Sequence, residues 1–144
     1  MEHIFIINPK AGKKDQTEYI KNILSKNTSI KYEIYNTKGH GDATRYAKEK
    51  CENNPDTFFK FYACGGDGTV NEVVNGIIDH QNAGFTIYPC GSGNDFVKAS
   101  RNSNFLDINS LIDGEELMID VLKANGKYGV NIINAGFDAA TAHK

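Results

Sequence analysis

The segment spanning residues 58–78 most constrains the fold, because it joins an apolar strand to an amphipathic helix through a glycine turn. Residues 58–64 (FFKFYAC) are rich in aromatic side chains, as expected of a buried strand. Gly65-Gly66-Asp67-Gly68 follows, and apolar side chains then recur at helical spacing. Thr69 followed three residues later by Glu72 fits a capping box, which predicts that the helix begins at Thr69.

This turn has the features of an anion-binding site. A helix N-terminus presents unpaired N–H groups and a partial positive charge, and glycines allow a phosphate to approach the backbone closely. A polyphosphate repels a carboxylate such as Asp67 unless a cation lies between them, or unless the carboxylate orients a hydroxyl or a water. The turn therefore predicts a magnesium nucleotide. A tight turn in which Asp67 only caps the helix explains the same residues, and a second turn favours the first interpretation.

The second glycine turn follows the next predicted strand. Residues 85–89 (FTIYP) lead into Cys90-Gly91-Ser92-Gly93-Asn94-Asp95. Phe96 stands where the dinucleotide-binding fingerprint requires a third small residue, so the turn is not that motif. Because ligands bind at the carboxyl ends of strands in open parallel sheets, the two turns predict one crevice with backbone donors from both sides.

The chain begins with a similar arrangement. Residues 3–7 (HIFII) form a near-continuous apolar run, which is typical of a strand covered on both faces of a parallel sheet. The run ends in a loop, residues 8–15, that contains Gly12 and three lysines. Lysines there can meet phosphate, although a solvated surface loop explains this segment better when it is taken alone. The Walker A pattern is absent, because Lys14 stands where Ser or Thr is required.

Between these segments the alternation of strands and helices continues. The pattern predicts a helix over residues 15–26, a strand over 30–35 with an edge position or a wetter face, and a helix through about Glu52. Asp42 is the predicted cap of that helix, and Thr37 lies at the exit of the strand before it. Repeated strand–helix units predict a three-layer α/β/α domain with a mostly parallel sheet.

The character of the chain changes after Arg101. Residues 105–113 predict a short helix whose inward side chains are Leu106, Leu111 and Ile112. Residues 117–122 and 128–133 then flank Asn125-Gly126, a strong hairpin signal. We therefore predict a nucleotide-binding α/β domain, residues 1–116, followed by the opening hairpin of a truncated β-rich domain, residues 117–144.

Composition limits the choice of partners. With 144 residues, 40% apolar and 24% charged, the chain suits one compact soluble domain. A net charge of −2 gives no polybasic surface, so nucleic acid is not a predicted partner. The N-terminal apolar run is too short for a signal peptide or a membrane span, which predicts a cytoplasmic protein. Cys51, Cys64 and Cys90 are predicted to be reduced thiols, and neither they nor the histidines predict a metal centre.

Five motifs occur in order along the chain. They are Asn8-Pro9-Lys10-Ala11-Gly12, Thr37 with Gly41-Asp42-Ala43, Gly65-Gly66-Asp67-Gly68-Thr69-Val70-Asn71-Glu72 with Asn75-Gly76, Pro89-Cys90-Gly91-Ser92-Gly93-Asn94-Asp95-Phe96, and Asn134-Ala135-Gly136-Phe137-Asp138-Ala139. In this order they resemble the catalytic domain of the diacylglycerol kinase family, most closely the bacterial soluble lipid kinases. The resemblance covers almost the whole chain.

The resemblance implies phosphoryl transfer from ATP, with Mg²⁺, to the hydroxyl of a lipid such as diacylglycerol. It also implies that a β-sandwich domain follows the nucleotide-binding domain and completes the site in the cleft between them. Asp67 would position the metal and the phosphates, and Asn94 and Asp95 would line the same cleft. The ATP contacts that it implies are Asn8, Pro9, Lys10, Ala11, Gly12, Thr37, Gly65, Gly66, Asp67, Gly68, Thr69, Val70, Asn71 and Ser92.

The departure from the family is length. The family's general base, an aspartate, and its structural magnesium site belong to the second domain, beyond the last residue of this chain. We therefore expect a fragment or short form that folds as the nucleotide domain, binds ATP weakly and is inactive alone. The unpaired edges of the hairpin make a homodimer plausible. A lipid substrate implies a peripheral position at the membrane surface.

Other functions share parts of this pattern. An NAD kinase shares the first glycine turn, but Asn71-Glu72, Asn75-Gly76 and the second glycine turn match lipid kinases better. A sugar-phosphate kinase of the phosphofructokinase type shares only the first turn. A non-enzymatic nucleotide-binding module would make the short length natural, and a purely structural α/β domain with solvated glycine loops is the remaining alternative. The lipid acceptor stays open.

Overall fold

The computed structural model describes residues 1–99 and 104–130 of the chain. The motif at residues 134–139 and the end of the predicted second hairpin strand, residues 131–133, lie outside the described residues. The helices and strands are β1 (Glu2–Ile7), α1 (Thr17–Leu24), β2 (Tyr32–Asn36), α2 (Asp42–Asn53), β3 (Phe59–Gly65), α3 (Asp67–Ile77), β4 (Ala83–Pro89), α4 (Asp95–Ala99), α5 (Ile108–Asp113), β5 (Leu122–Ala124) and β6 (Lys127–Gly129).

The first four strands form one parallel sheet in the order β2-β1-β3-β4. Strand β2 lies at an edge, in agreement with its wetter sequence. Ile7 pairs with Asn36 on one side and with Cys64 on the other, and Gly65 pairs with Pro89. All four strands therefore end at the same edge of the sheet, where their loops meet.

Helices cover both faces of this sheet. Ile4 and Ile6 of β1 pack with the buried side chains of α2 and α3, whereas Phe5 and Ile7 pack with those of α1 and α5. This alternation follows from the period of two along a strand, and the continuous apolar run of β1 reflects burial on both faces. The three-layer α/β/α prediction is confirmed.

The capping box predicted at the start of α3 is wrong. The helix begins two residues earlier, at Asp67, and its N-cap is Gly66. Thr69 is buried within the first turn, and the Glu72 carboxylate reaches neither end of its own helix. Instead it accepts hydrogen bonds from the N–H groups of Gly41 (2.9 Å) and Ala43 (3.2 Å) at the start of α2. A side chain of α3 therefore caps the preceding helix, α2.

Asp42 is not the cap of α2 either. The N-cap is Gly41, which has a left-handed φ of 79°. The Asp42 carboxylate accepts a hydrogen bond from the N–H of Lys38 (2.8 Å) and pairs with Arg45 (2.6 Å). These two donors hold the pKa of Asp42 below its usual range. Asp42 thus braces the loop between β2 and α2.

Helix α5 is shorter than predicted, which changes its inward face. Asp107 caps the helix by accepting a hydrogen bond from the N–H of Asn109 (3.1 Å). Leu106 therefore precedes the helix and is 69% exposed, so its predicted inward position is wrong. Ile108 and Leu111 are the buried residues.

The C-terminal hairpin forms around the predicted turn. Asn125 and Gly126 have φ angles of 50° and 76°, which suits the two-residue turns that connect antiparallel strands. Its strands are three residues each, shorter than predicted. The boundary at residue 116 stays a prediction. Within the described residues, no helix has the length and apolar character needed to cross a bilayer.

Candidate functional site

The loops that follow the four parallel strands are joined by main-chain hydrogen bonds. The N–H of Asn8 donates to Cys64 (2.9 Å), that of Thr37 to Ile7 (2.8 Å), and that of Cys90 to Gly65 (2.9 Å). Each bond continues the ladder of the sheet by one residue beyond a strand. The loops therefore form one continuous rim at the carboxyl edge of the sheet.

The two glycine turns touch at the centre of this rim. The carbonyl of Gly65 accepts hydrogen bonds from the N–H groups of Cys90 (2.9 Å) and Gly91 (3.3 Å). A Cβ atom on Gly91 would lie 2.5 Å from the Cα of Gly66, so the backbones are in direct contact there. Gly12, with a φ of 72°, approaches the same place, because its Cβ would lie 2.0 Å from the carbonyl oxygen of Cys90. The prediction that the two turns are neighbours is confirmed.

Some backbone donors on the rim are already engaged within it. The N–H groups of Cys90 and Gly91 already bind Gly65, and those of Lys10 and Ala11 donate to Asn8 (3.0 and 3.1 Å). The start of α3 is different, because Gly66 has no side chain with which to cap it and the first N–H groups of a helix have no intrahelical acceptor. The first N–H groups of α3 are therefore candidate donors for an anion.

Asp67 connects the two turns. Its Oδ1 accepts a hydrogen bond from the N–H of Asp95 (2.9 Å), the first residue of α4. Its Oδ2 lies 2.7 Å from the position that a Cβ on Gly93 would take, so a side chain there would displace the carboxylate. Asn94 has a left-handed φ of 53° and donates from Nδ2 to the carbonyl of Gly91. Among the described residues, no donor reaches the buried Oδ1 of Asn94, which leaves an unpaired acceptor in the second turn.

A cavity of about 390 Å³ opens beside α3 on the same rim. Its lining includes the predicted residues Asn8, Lys10, Thr37, Gly68 and Thr69, together with Lys38, Gly39, His40, Ala43 and Glu72, which had not been predicted. A more open depression of about 510 Å³ lies at the end of α1, but Lys26 is the one charged residue in its lining. The rim cavity is therefore the better candidate.

Polar side chains shape the walls of the rim cavity. The Nδ2 of Asn8 donates to Thr69 Oγ1 at 3.5 Å, and the exposed His40 ring places Nδ1 3.2 Å from Glu72 Oε1. Two basic residues, Lys10 and Lys38, also line this cavity. The sequence could have indicated Glu72, because this residue belongs to the third motif, but the capping-box interpretation assigned its carboxylate to the start of α3. No sequence motif pointed to His40.

The remaining predicted contacts lie outside the cavity lining. Ser92 is exposed in the second turn, and Pro9, Ala11 and Gly12 form the loop beside it. Gly65 and Gly66 lie at the contact between the turns. Val70 is buried in the core and donates its N–H to Gly66 (3.2 Å), and the Asn71 carbonyl accepts from Asn75 (2.8 Å). Their roles as ATP contacts stay predictions.

The donor set suits a phosphate better than a metal centre built from protein ligands alone. In the part of the chain that the structure describes, no three His, Cys, Asp or Glu side chains lie close enough together to hold an ion. Burial raises the pKa of Cys90 to about 11 and that of Cys64 further above its usual value, so these thiols are protonated at neutral pH. Mg²⁺ characteristically takes one or two carboxylates plus phosphate oxygens, an arrangement that Asp67 fits.

Comparison with known proteins gives a consistent result. Residues 2–124 match the sequence profile described as the diacylglycerol kinase catalytic domain. The chain is 35% identical over 136 residues to a diacylglycerol kinase of Staphylococcus aureus (strain MRSA252). It is 34% identical over 137 residues to one of Bacillus subtilis (strain 168). These matches cover 91% of this chain but 42% and 44% of the relatives, so the chain spans less than half of their length.

A solved structure agrees with the sequence matches. A diacylglycerol kinase crystal structure from Bacillus anthracis str. Sterne superposes with a TM-score of 0.69 and 31% sequence identity. The superposition covers 88% of this chain and 45% of that one.

Proposed function

We propose, since the chain belongs to the diacylglycerol kinase catalytic domain family, that it is the ATP-binding part of a lipid kinase. One observation carries the nucleotide proposal: the two glycine turns touch at the start of α3, and the Asp67 carboxylate spans them. Glycines without side chains expose the helix N-terminus, and a carboxylate beside it suits a phosphate that arrives with a cation.

The binding mode follows from the donors on the rim. The first N–H groups of α3 and the helix dipole would hold the phosphates, with the Asn8 amide and the Lys10 ammonium at the cavity side. Asp67 would hold Mg²⁺, which would supply positive charge to offset that of the phosphates. In this chain Asp67 is the proposed catalytic carboxylate, because it begins α3 and spans the two glycine turns. Phosphoryl transfer depends chiefly on such positioning and charge stabilisation.

The acceptor in this proposal is the hydroxyl of a lipid, in keeping with the names of the relatives. We further propose that the 144 residues bind MgATP but do not phosphorylate lipid by themselves, since they match less than half of each relative. Peripheral membrane contact and homodimerisation are parts of the same proposal.

Calorimetric titration with ATP, in the presence and absence of Mg²⁺, tests the role of Asp67. Asp67→Asn keeps an oxygen that accepts from the Asp95 N–H but removes the charge. We expect Mg²⁺ to tighten ATP binding by the wild type, and Asp67→Asn to lose about tenfold of that gain, equivalent to ~1.4 kcal/mol. Asp79→Asn, an exposed residue beyond α3, serves as the control.

Two results would contradict the proposal. If the wild type shows no affinity for MgATP up to millimolar concentrations, the nucleotide assignment is wrong. If Asp67→Asn keeps the full effect of Mg²⁺, Asp67 serves only to join the turns. Incubation with labelled ATP and diacylglycerol vesicles is expected to give no phosphatidic acid, and its formation would refute the claim that the chain is inactive alone.

A further inference from the structure

Asn75 joins helix α3 to the C-terminal hairpin through its side-chain amide. Its Nδ2 donates to the carbonyl of Tyr128 (2.8 Å), and its Oδ1 accepts from the N–H of the same residue (2.9 Å). Two paired antiparallel residues exchange this same set of bonds. The amide of Asn75 therefore takes the place of a neighbouring strand at the outer edge of β6.

The hairpin presents Tyr128 correctly for this contact. Tyr128 pairs with Lys123, one step beyond the pair that closes the two-residue turn. In such hairpins the hydrogen-bonded and non-hydrogen-bonded pairs alternate, so the N–H and carbonyl of Tyr128 point away from β5. Without Asn75 they would form an unpaired strand edge.

The geometry of Asn75 itself is fixed from the other side. Its Nδ2 also donates to the carbonyl of Asn71, one turn earlier in α3 (2.8 Å). Both amide protons and the amide oxygen are therefore engaged, which restricts the side chain to one rotamer. Val121, Tyr128 and Val130 pack against the apolar cluster that includes the buried face of α3. Apolar contact holds the hairpin to the helix, but it is not directional.

We propose that Asn75 is a positioning residue that fixes the register of the hairpin on α3. Asp67 lies eight residues earlier in the same helix, about 12 Å along its axis at ~1.5 Å per residue. Asn75 thereby fixes the position of β6 relative to the Asp67 carboxylate, which spans the glycine turns. This inference rests on the hairpin contacts and does not require that the proposed nucleotide function be correct.

Amide hydrogen exchange, followed by NMR on the whole chain, tests this role. Asn75→Ala removes both hydrogen bonds to Tyr128. We expect the N–H of Tyr128 to exchange at least about tenfold faster, relative to the amides of β3, than in the wild type. A tenfold change corresponds to the loss of ~1.4 kcal/mol. Asn75→Asp removes the donor but keeps the acceptor, and is expected to speed exchange across residues 122–129 as well. This second variant decides the question if the first does not fold.

Asn82→Ala is the matched control. The Asn82 amide donates to the carbonyls of Cys51, Asn54 and Thr57 (3.4, 3.1 and 3.1 Å), so its removal destabilises the fold away from the hairpin. A purely structural loss would speed exchange in β3 and in the hairpin alike. The proposal is overturned if the hairpin-to-β3 ratio is unchanged by both Asn75 variants, or if Asn82→Ala changes it equally.

Discussion

The contact between the two glycine turns predicts a strong and specific effect for Gly91→Ala. The added Cβ would lie 2.5 Å from the Cα of Gly66 and 3.1 Å from its nitrogen, both backbone atoms. Ordinary contacts of a Cβ begin at 3.4 Å, so the turns must separate by almost 1 Å. Gly91 does not have a left-handed φ, so alanine would cause no backbone strain there. The contact with Gly66 alone opposes the substitution.

The size of the effect follows from this overlap. Forcing an extra carbon into a packed contact costs about 1–3 kcal/mol. For a chain of 144 residues each kcal/mol lowers the melting temperature by about 3–5 °C, so we expect a decrease of about 3–15 °C. Separation of the turns also moves the start of α3 away from Asp95. In the proposed nucleotide site, loss of one charge-assisted hydrogen bond to a phosphate, about 1.5–3 kcal/mol, would weaken MgATP binding at least about tenfold.

Gly84→Ala is the control for the effect of alanine on the unfolded chain. Gly84 lies in β4, where a Cβ would meet the Phe58 ring at an ordinary 3.6 Å. There the substitution is expected to leave the protein unchanged or to stabilise it by about 0.4–1 kcal/mol. Melting curves and calorimetric titration of both variants provide the comparison. Equal melting temperatures and equal MgATP affinities for Gly91→Ala and the wild type would show that the turns are not packed as described.

Two further predictions concern stability. Glu72→Ala removes the acceptor that serves the N–H groups of Gly41 and Ala43, and should lower the free energy of unfolding by about 1–2 kcal/mol in urea titrations, whereas exposed Glu52→Ala should not. Burial, aided by the charge of Lys60, lowers the pKa of His3 below its usual 6.5. As the pH falls through about 6.5, His3 is therefore protonated more readily in the unfolded chain than in the folded protein. The contribution of His3 to the free energy of unfolding is fully present above about pH 6.5 and decreases below it. Melting curves at pH 7.5 and 5.5 should differ less for His3→Gln than for the wild type, and an equal difference would contradict this.

The arrangement of layers was predictable from the sequence because it depends on local periodicity. An unbroken apolar run in β1 indicates burial on two faces, and the position of the glycine turns follows once the strands are parallel. The partners of Glu72 and Asp42 were not predictable. Thr69 and Glu72 satisfy a local template, but packing of α3 beside α2 brings a different helix end within reach of the carboxylate. The spacing of residues along the chain does not show that the side chain of Glu72 lies close to the start of α2.

The engagement of some backbone donors between the turns was not predictable for a related reason. Glycine in a strand-to-helix turn suggests N–H groups that await a ligand, but the turns are close enough to use some of these groups between themselves. Leu106 illustrates the same limit at the other face of the sheet. Its sequence context fits a helix, yet Asp107 caps α5 one residue later and leaves Leu106 outside.

Three polar side chains of α3 reach the backbone of three separate segments: Asp67 at residue 95, Glu72 at residues 41 and 43, and Asn75 at residue 128. Their partners contribute peptide groups, which nearly every amino acid carries. In a saturation mutagenesis library, substitutions should therefore be tolerated poorly at the residue that contributes its side chain and well at the residue that contributes its peptide group. Many replacements of Asp95 and Tyr128 would keep these hydrogen bonds, whereas few replacements of the α3 residues Asp67 and Asn75 would.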